Sequence, residues 1–135
     1  MYGNIMSLIY GDDFIDKNEI YDYAFGDIFE NFQALYSVKN LILPATTLGI
    51  ACYTYMFNKC YNLINVPKLP ATTLANDCYD SMFQDCTSLT TAPELPATTL
   101  AESCYSCMFY GCTLLTTAPE LPATTLAESC YSSMF

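Results

Sequence analysis

Along the chain, blocks in which apolar residues recur every four positions alternate with blocks of Leu, Pro, Ala and Thr, and the alternation has a period of 26 residues. LPATTLGIACYTYMFNKCYNLINVPK (43–68) is followed by LPATTLANDCYDSMFQDCTSLTTAPE (69–94), LPATTLAESCYSCMFYGCTLLTTAPE (95–120) and LPATTLAESCYSSMF (121–135). In the third unit Leu100, Cys104, Met108 and Cys112 are spaced by four, with Tyr105 and Phe109 one residue later. One side of that segment is apolar, which predicts a short helix or 3₁₀ segment. Pro96 and the Thr98-Thr99 pair predict a turn into an N-cap, with Glu102 as capping-box partner. Gly111 suits a left-handed end to the segment, although Asn58-Lys59 and Gln84-Asp85 fill the equivalent places elsewhere. The run Leu115 to Leu121, ended by Pro119 and Pro122, predicts a strand of three or four residues per unit. Because successive units are nearly identical, these strands are expected to stack in register as a parallel sheet, with Leu63, Leu89 and Leu115 in one buried column.

A degraded unit precedes Leu43 if two extra residues are allowed near Lys39. Ala24-Phe25 then match Cys52-Tyr53, Ile28-Phe29 match Met56-Phe57, Phe32 matches Cys60 and Leu35 matches Leu63. The first 23 residues lie outside the pattern. Their apolar run Ile5 to Tyr10 suits a strand, and Gly11-Asp12-Asp13 a turn. A repeat array must hide its first open face, so residues 1–23 read as an N-terminal cap and 24–135 as the array of one degenerate, three full and one truncated repeat. Phe135 stops in mid-repeat, so a further segment or another copy is expected against the last face, which makes self-association through the uncapped C-terminal end an expected contact.

Composition narrows the chemistry. The 135 residues are 53% apolar and 13% charged, with 4 Lys+Arg against 14 Asp+Glu, a net charge of −10 and no His or Trp. Phosphate binding needs a basic face, so nucleic acid and anionic membranes are not expected partners. Without histidine the commonest general base and the commonest metal ligand are both missing, which argues against triad and zinc-hydrolase chemistry. No stretch approaches about 18 consecutive apolar residues, so direct membrane insertion is not expected. Met1-Tyr2-Gly3 lacks the charged start and long apolar run of a signal peptide. Asp12-Asp13 read as a solvated turn, since no calcium-loop pattern surrounds them.

The eight cysteines are mostly periodic. Cys52, Cys78, Cys104 and Cys130 form one column, Cys60, Cys86 and Cys112 another, and Cys107 is extra. Disulfides between stacked rungs are geometrically conceivable, and Cys104-x-x-Cys107 with Cys112 is the one metal-like cluster. The degraded unit carries Ala24 and Phe32 in the two columns, which favours buried free thiols. Tyr53, Tyr79, Tyr105 and Tyr131 repeat at 26 and read as framework. Tyr55, Tyr61 and Tyr110 break the period, as does the column Lys68, Glu94 and Glu120, whose charge changes sign. These six positions are the candidate binding residues; no catalytic residue, metal ligand or cofactor is assigned.

The combination C-Y-x-x-M-F-x-x-C-x-x-L-x-x-A-P-x-L-P-A-T-T-L resembles the BspA-like leucine-rich repeats of bacterial surface proteins over about residues 24–135, and GNIMSLIYGDDF is similar to a leader before such arrays. The asparagine of the usual L-x-x-N is missing here, with the cysteine or threonine positions in its place. The resemblance implies an α/β leucine-rich repeat solenoid with short parallel strands and short helical or 3₁₀ segments. It further implies a non-enzymatic cell-surface or secreted module that binds protein or glycan on a host or neighbouring cell. The near-identity of the units suits an alternative, a structural spacer or stalk within a larger surface protein.

Overall fold

The computed structural model describes residues 1–135. Regular secondary structure is scarce: strand β1 (Tyr2–Asn4), helix α1 (Ser7–Tyr10), a 3₁₀ turn at Gly11–Asp13 and strand β2 (Asn40–Ile42). Of 66 backbone hydrogen bonds, only 5 lie within these helices and strands, so the molecule is held by turns and by bonds between repeats.

The period-four segments are ribbons of consecutive four-residue turns. Tyr53, Tyr55, Phe57 and Lys59 donate their N–H groups to the carbonyls of Cys78, Asp80, Met82 and Gln84 in the next unit, at 2.8–3.0 Å. The intervening N–H groups of Thr54, Met56, Asn58 and Cys60 close turns onto Ala51, Tyr53, Tyr55 and Phe57. Tyr79, Ser81, Phe83 and Asp85 repeat the pattern onto Cys104, Ser106, Met108 and Tyr110, as do Tyr105, Cys107 and Phe109 onto Cys130, Ser132 and Met134. Half the amides are thus committed to a neighbouring unit, and the helix or 3₁₀ segment expected in each repeat does not form. The turns need a left-handed residue every fourth position: Ala51, Tyr55 and Lys59; Asp77, Ser81 and Asp85; Ser103, Cys107 and Gly111. A non-glycine residue held there loses about 1–2 kcal/mol, which Asp, Asn and Ser lessen by local hydrogen bonding. A turn period of four imitates the helical 3.6, and the two residues that follow a left-handed position, such as Cys52-Tyr53 after Ala51 and Met56-Phe57 after Tyr55, both face the core.

Two ring columns run through the units. Phe25, Tyr53, Tyr79, Tyr105 and Tyr131 stack at centroid spacings of 6.2, 5.7, 5.9 and 6.0 Å. Phe29, Phe57, Phe83, Phe109 and Phe135 stack at 5.5, 5.6, 5.8 and 5.9 Å. Phe25 and Phe29 occupy these columns with the alignment shifted by two residues, and β2 lies where the extra residues enter. Leu63 and Leu89 are fully buried and Leu115 is half-buried.

The strand expected at Leu115 to Leu121 is also missing. Residues 90–97 and 116–123 make no backbone hydrogen bond, because prolines at 93, 96, 119 and 122 remove ladder donors. Parallel pairing instead appears as single bridges, Thr47 with Thr73 and Thr99 with Thr125, inside the segment expected to be an N-cap. There the Thr46 carbonyl accepts from the Thr72 and Thr73 amides, and Thr98 accepts from Thr124 and Thr125. No threonine side chain caps a helix, and Glu102 accepts instead from Asn76 Nδ2 at 3.3 Å.

At the N-terminus the strand is Tyr2–Asn4, paired in parallel with β2 in the register Tyr2 to Asn40 and Asn4 to Ile42. The apolar run after it is not the expected strand. Asn4 Oδ1 accepts from the Met6 amide at 2.9 Å and its carbonyl accepts from Ser7 Oγ at 2.9 Å, turning the chain so that Ser7–Tyr10 coils into α1. Ile5 and Met6 are buried side by side, and Glu19 and Ile20 reach Thr47 in the following unit.

Candidate binding face

The prolines that suppress the sheet also line grooves on the surface. Three adjoining grooves follow one another along the stack. The first, about 490 Å³, is lined by Lys39, Ile42, Pro44, Lys68 and Pro70 among others. The second, about 370 Å³, contains Pro67, Lys68, Pro70, Pro93, Glu94 and Pro96. The third, about 420 Å³, contains Pro93, Glu94, Pro96, Pro119, Glu120 and Pro122. Each groove shares residues with the next, so Lys68, Glu94 and Glu120 lie on one continuous trough, exposed, in chain order. Lys39 joins Lys68 at one end, giving the order of charges plus, plus, minus, minus. The acidic side chains that do make hydrogen bonds are Asp22, Glu30, Asp80 and Glu102, none of them in this column.

Tyr55, Tyr61 and Tyr110 are also exposed, at 37%, 41% and 50%, but line none of these grooves. Tyr55 sits at a left-handed position (φ 54°) on the outer side of a turn ribbon. Tyr61 lies just beyond Cys60, where its carbonyl accepts from Thr87 Oγ1 at 3.3 Å. The six candidate residues therefore divide into a charged trough and a separate scatter of tyrosines. The last unit has its own shallow groove of about 290 Å³, lined by Phe109, Gly111, Cys112, Leu115 and Phe135. The amides of Ser129, Tyr131, Ser133 and Phe135 beside it have no partner.

All eight cysteines are free thiols, and all but Cys107 are buried. Burial pushes the Cys104 thiol up to about 11 and the Cys52 and Cys112 thiols up to about 12; Cys78 lies well above its ordinary value for the same reason. Such thiols are poor nucleophiles. The second cysteine column has a function beyond packing: Cys60, Cys86 and Cys112 donate to the carbonyls of Phe29, Phe57 and Phe83 in the preceding unit at 3.1, 3.2 and 3.1 Å.

The sequence pattern pointed to Lys68, Glu94 and Glu120 but not to the proline columns that wall them, nor to Lys39. The signal was the repeated P-x-L-P, in which a proline stands on each side of the variable charge. Those prolines register first as strand ends, and their role as walls emerges only once the units are stacked. Comparison with family models, curated proteins and solved structures yields no match to the chain.

Proposed function

We propose that the chain is a non-enzymatic binding or adhesion module of the BspA-like leucine-rich repeat type, a solenoid from a cell-surface or secreted protein that engages protein or glycan on another surface. The observation that carries this reading is the division of labour within each unit. Tyr53, Tyr79, Tyr105, Phe57, Phe83, Phe109, both cysteine columns and Met56, Met82 and Met108 are buried and repeated, whereas Tyr55, Tyr61, Lys68, Glu94, Tyr110 and Glu120 break the repeat and are exposed, although Ser81 and Asn58, in the columns of Tyr55 and Tyr110, are buried. A constant frame with variable surface residues is how repeat arrays acquire partners. The thiol-to-carbonyl bonds suit the leucine-rich repeat reading, in which the cysteine or threonine positions take the place of the L-x-x-N asparagine, because they give each unit a side-chain donor to a carbonyl of its neighbour.

The test is binding of the whole chain to immobilised extracellular-matrix proteins and to a glycan array. Two variants accompany it: Tyr55→Ala/Tyr61→Ala/Tyr110→Ala, and Lys68→Ala/Glu94→Ala/Glu120→Ala. Saturable binding that one variant abolishes supports the module. No saturable binding to any protein or glycan would leave the spacer reading, which the near-identity of residues 95–109 and 121–135 favours.

A further inference from the structure

We propose that the proline-walled trough is a docking site for an extended polypeptide segment carrying an acidic pair followed, or preceded, by a basic pair about four residues away. This deepens the binding-module reading and rests on it.

Charge order is the first argument. Lys39 and Lys68 share one groove, Lys68 and Glu94 the next, and Glu94 and Glu120 the third, so the trough has a positive and a negative pole. On a chain of net charge −10, an unspecific surface would attract only cations; a bipolar trough selects a bipolar ligand.

Backbone chemistry is the second. Residues 66–71, 90–97 and 116–123 make no backbone hydrogen bonds. Lys68 and Glu94, both exposed, stand between prolines along the grooves, and their backbone amide and carbonyl groups make no hydrogen bond within the chain. The prolines keep those groups free by breaking the ladder that would otherwise consume them.

Size is the third. Four rows of about 5 Å by a segment of five residues at about 3.3 Å each give roughly 300 Å², well under the ~800 Å² per partner of a standard protein interface, so a second folded copy is a poor fit and a short linear segment a good one. Successive units are 5.5–6.2 Å apart at their stacked rings, so the poles, two units apart, are separated by about 11–12 Å. An extended chain rising about 3.1 Å per residue covers that distance in about four residues.

The probe is the capped peptide Glu-Glu-Pro-Pro-Lys-Lys, compared with Lys-Lys-Pro-Pro-Lys-Lys and Glu-Glu-Pro-Pro-Glu-Glu by titration against the full chain in low salt. Exchanging two like-charge contacts for two surface ion pairs predicts that the mixed peptide binds about fivefold tighter than either uniform one. Lys39→Glu/Lys68→Glu should move the all-basic peptide to first place, and Glu94→Lys/Glu120→Lys the all-acidic one. Both variants alter exposed side chains, and thermal melts confirm that each is folded. The proposal is overturned if the all-basic peptide ranks first on the unaltered chain, if the ranking survives the charge reversals, or if none of the peptides binds. Matrix or glycan binding that persists in both charge-reversed variants removes the trough as the site and leaves the module reading standing. Peptide ranking as expected, without binding to any matrix protein or glycan, keeps the trough as a polypeptide site and removes matrix proteins and glycans as its partners.

Discussion

The hydroxyls of Tyr53 and Tyr105 are buried with no hydrogen-bond partner, although their rings are among the best packed in the molecule, each 1% exposed. A buried polar group left unpaired costs about 1–3 kcal/mol, whereas an apolar replacement of the same shape can be neutral or stabilising. Tyr53→Phe and Tyr105→Phe keep the ring in its column and remove only the oxygen, leaving a void smaller than a methyl group. Discounting that void, each substitution is predicted to stabilise the chain by about 1 kcal/mol. The first unit already carries the proposed replacement, since Phe25 stacks on Tyr53 at 6.2 Å. Tyr79 separates the two sites, with ring spacings of 5.7 and 5.9 Å on either side, so their effects should add to about 2 kcal/mol. For a chain of this length that corresponds to a rise in Tm of roughly 3 °C per kcal/mol. Urea titration is the assay: the midpoint should rise with an unchanged m-value. A loss of more than about 0.5 kcal/mol in either variant would show that the hydroxyl has a partner, and the packing account of that column would fail.

Gly49→Ala should destabilise even though it restores the residue that Ala75, Ala101 and Ala127 supply in the other units. A Cβ there would lie 2.5 Å from the Asp22 amide nitrogen and 2.6 Å from the Tyr21 carbonyl carbon, overpacking worth about 1–3 kcal/mol by chemical denaturation. Cys86→Ala should cost about 0.5–1 kcal/mol more than Cys78→Ala, because both side chains are fully buried but only Cys86 donates to a carbonyl, that of Phe57; equal losses would remove the bond from the account. In native protein near neutral pH one thiol, Cys107, should react promptly with a thiol reagent and the other seven only on unfolding. The same burial sets an alkaline limit. The Cys52, Cys104 and Cys112 thiols rise from an ordinary 9.0 to about 12, 11 and 12, so above pH 9 the unfolded chain releases protons that the folded chain retains. Their contribution to stability is therefore complete below pH 9 and lost between pH 9 and 12; urea midpoints at pH 8 and pH 11 measure it, and an unchanged midpoint would refute it.

The columns were legible in the sequence because burial repeats with the period. Cys52, Tyr53, Met56, Phe57 and Leu63 could be assigned to the core from their recurrence alone, and so could the two-residue shift that brings Phe25 and Phe29 into the ring columns. Backbone conformation was not legible. Spacing by four is shared by a helix and by a ribbon of left-handed turns, and what separates them is the residue type at positions such as Asp77, Asp85 and Gly111, where Asp and Gly tolerate positive φ. Tyr55 and Lys59 at the same places in the first full unit obscure that signal. The candidate face was half legible: a charge that varies among constant neighbours marked Lys68, Glu94 and Glu120, but a groove between units is a property of the stack and has no trace in any single repeat.

The central claim is that each unit is joined to the next by alternate amides of its turn ribbon, and amide hydrogen exchange resolved by residue tests it most directly. Tyr53, Tyr79 and Tyr105 donate to Cys78, Cys104 and Cys130, while the Tyr131 amide has no acceptor. The first three should exchange slowly and Tyr131 rapidly, although all four occupy the same place in their repeats. A helix within each repeat would protect Tyr131 through its own unit, so equal protection of Tyr105 and Tyr131 in a monomer of residues 1–135, with nothing seated on the last unit, would contradict the account.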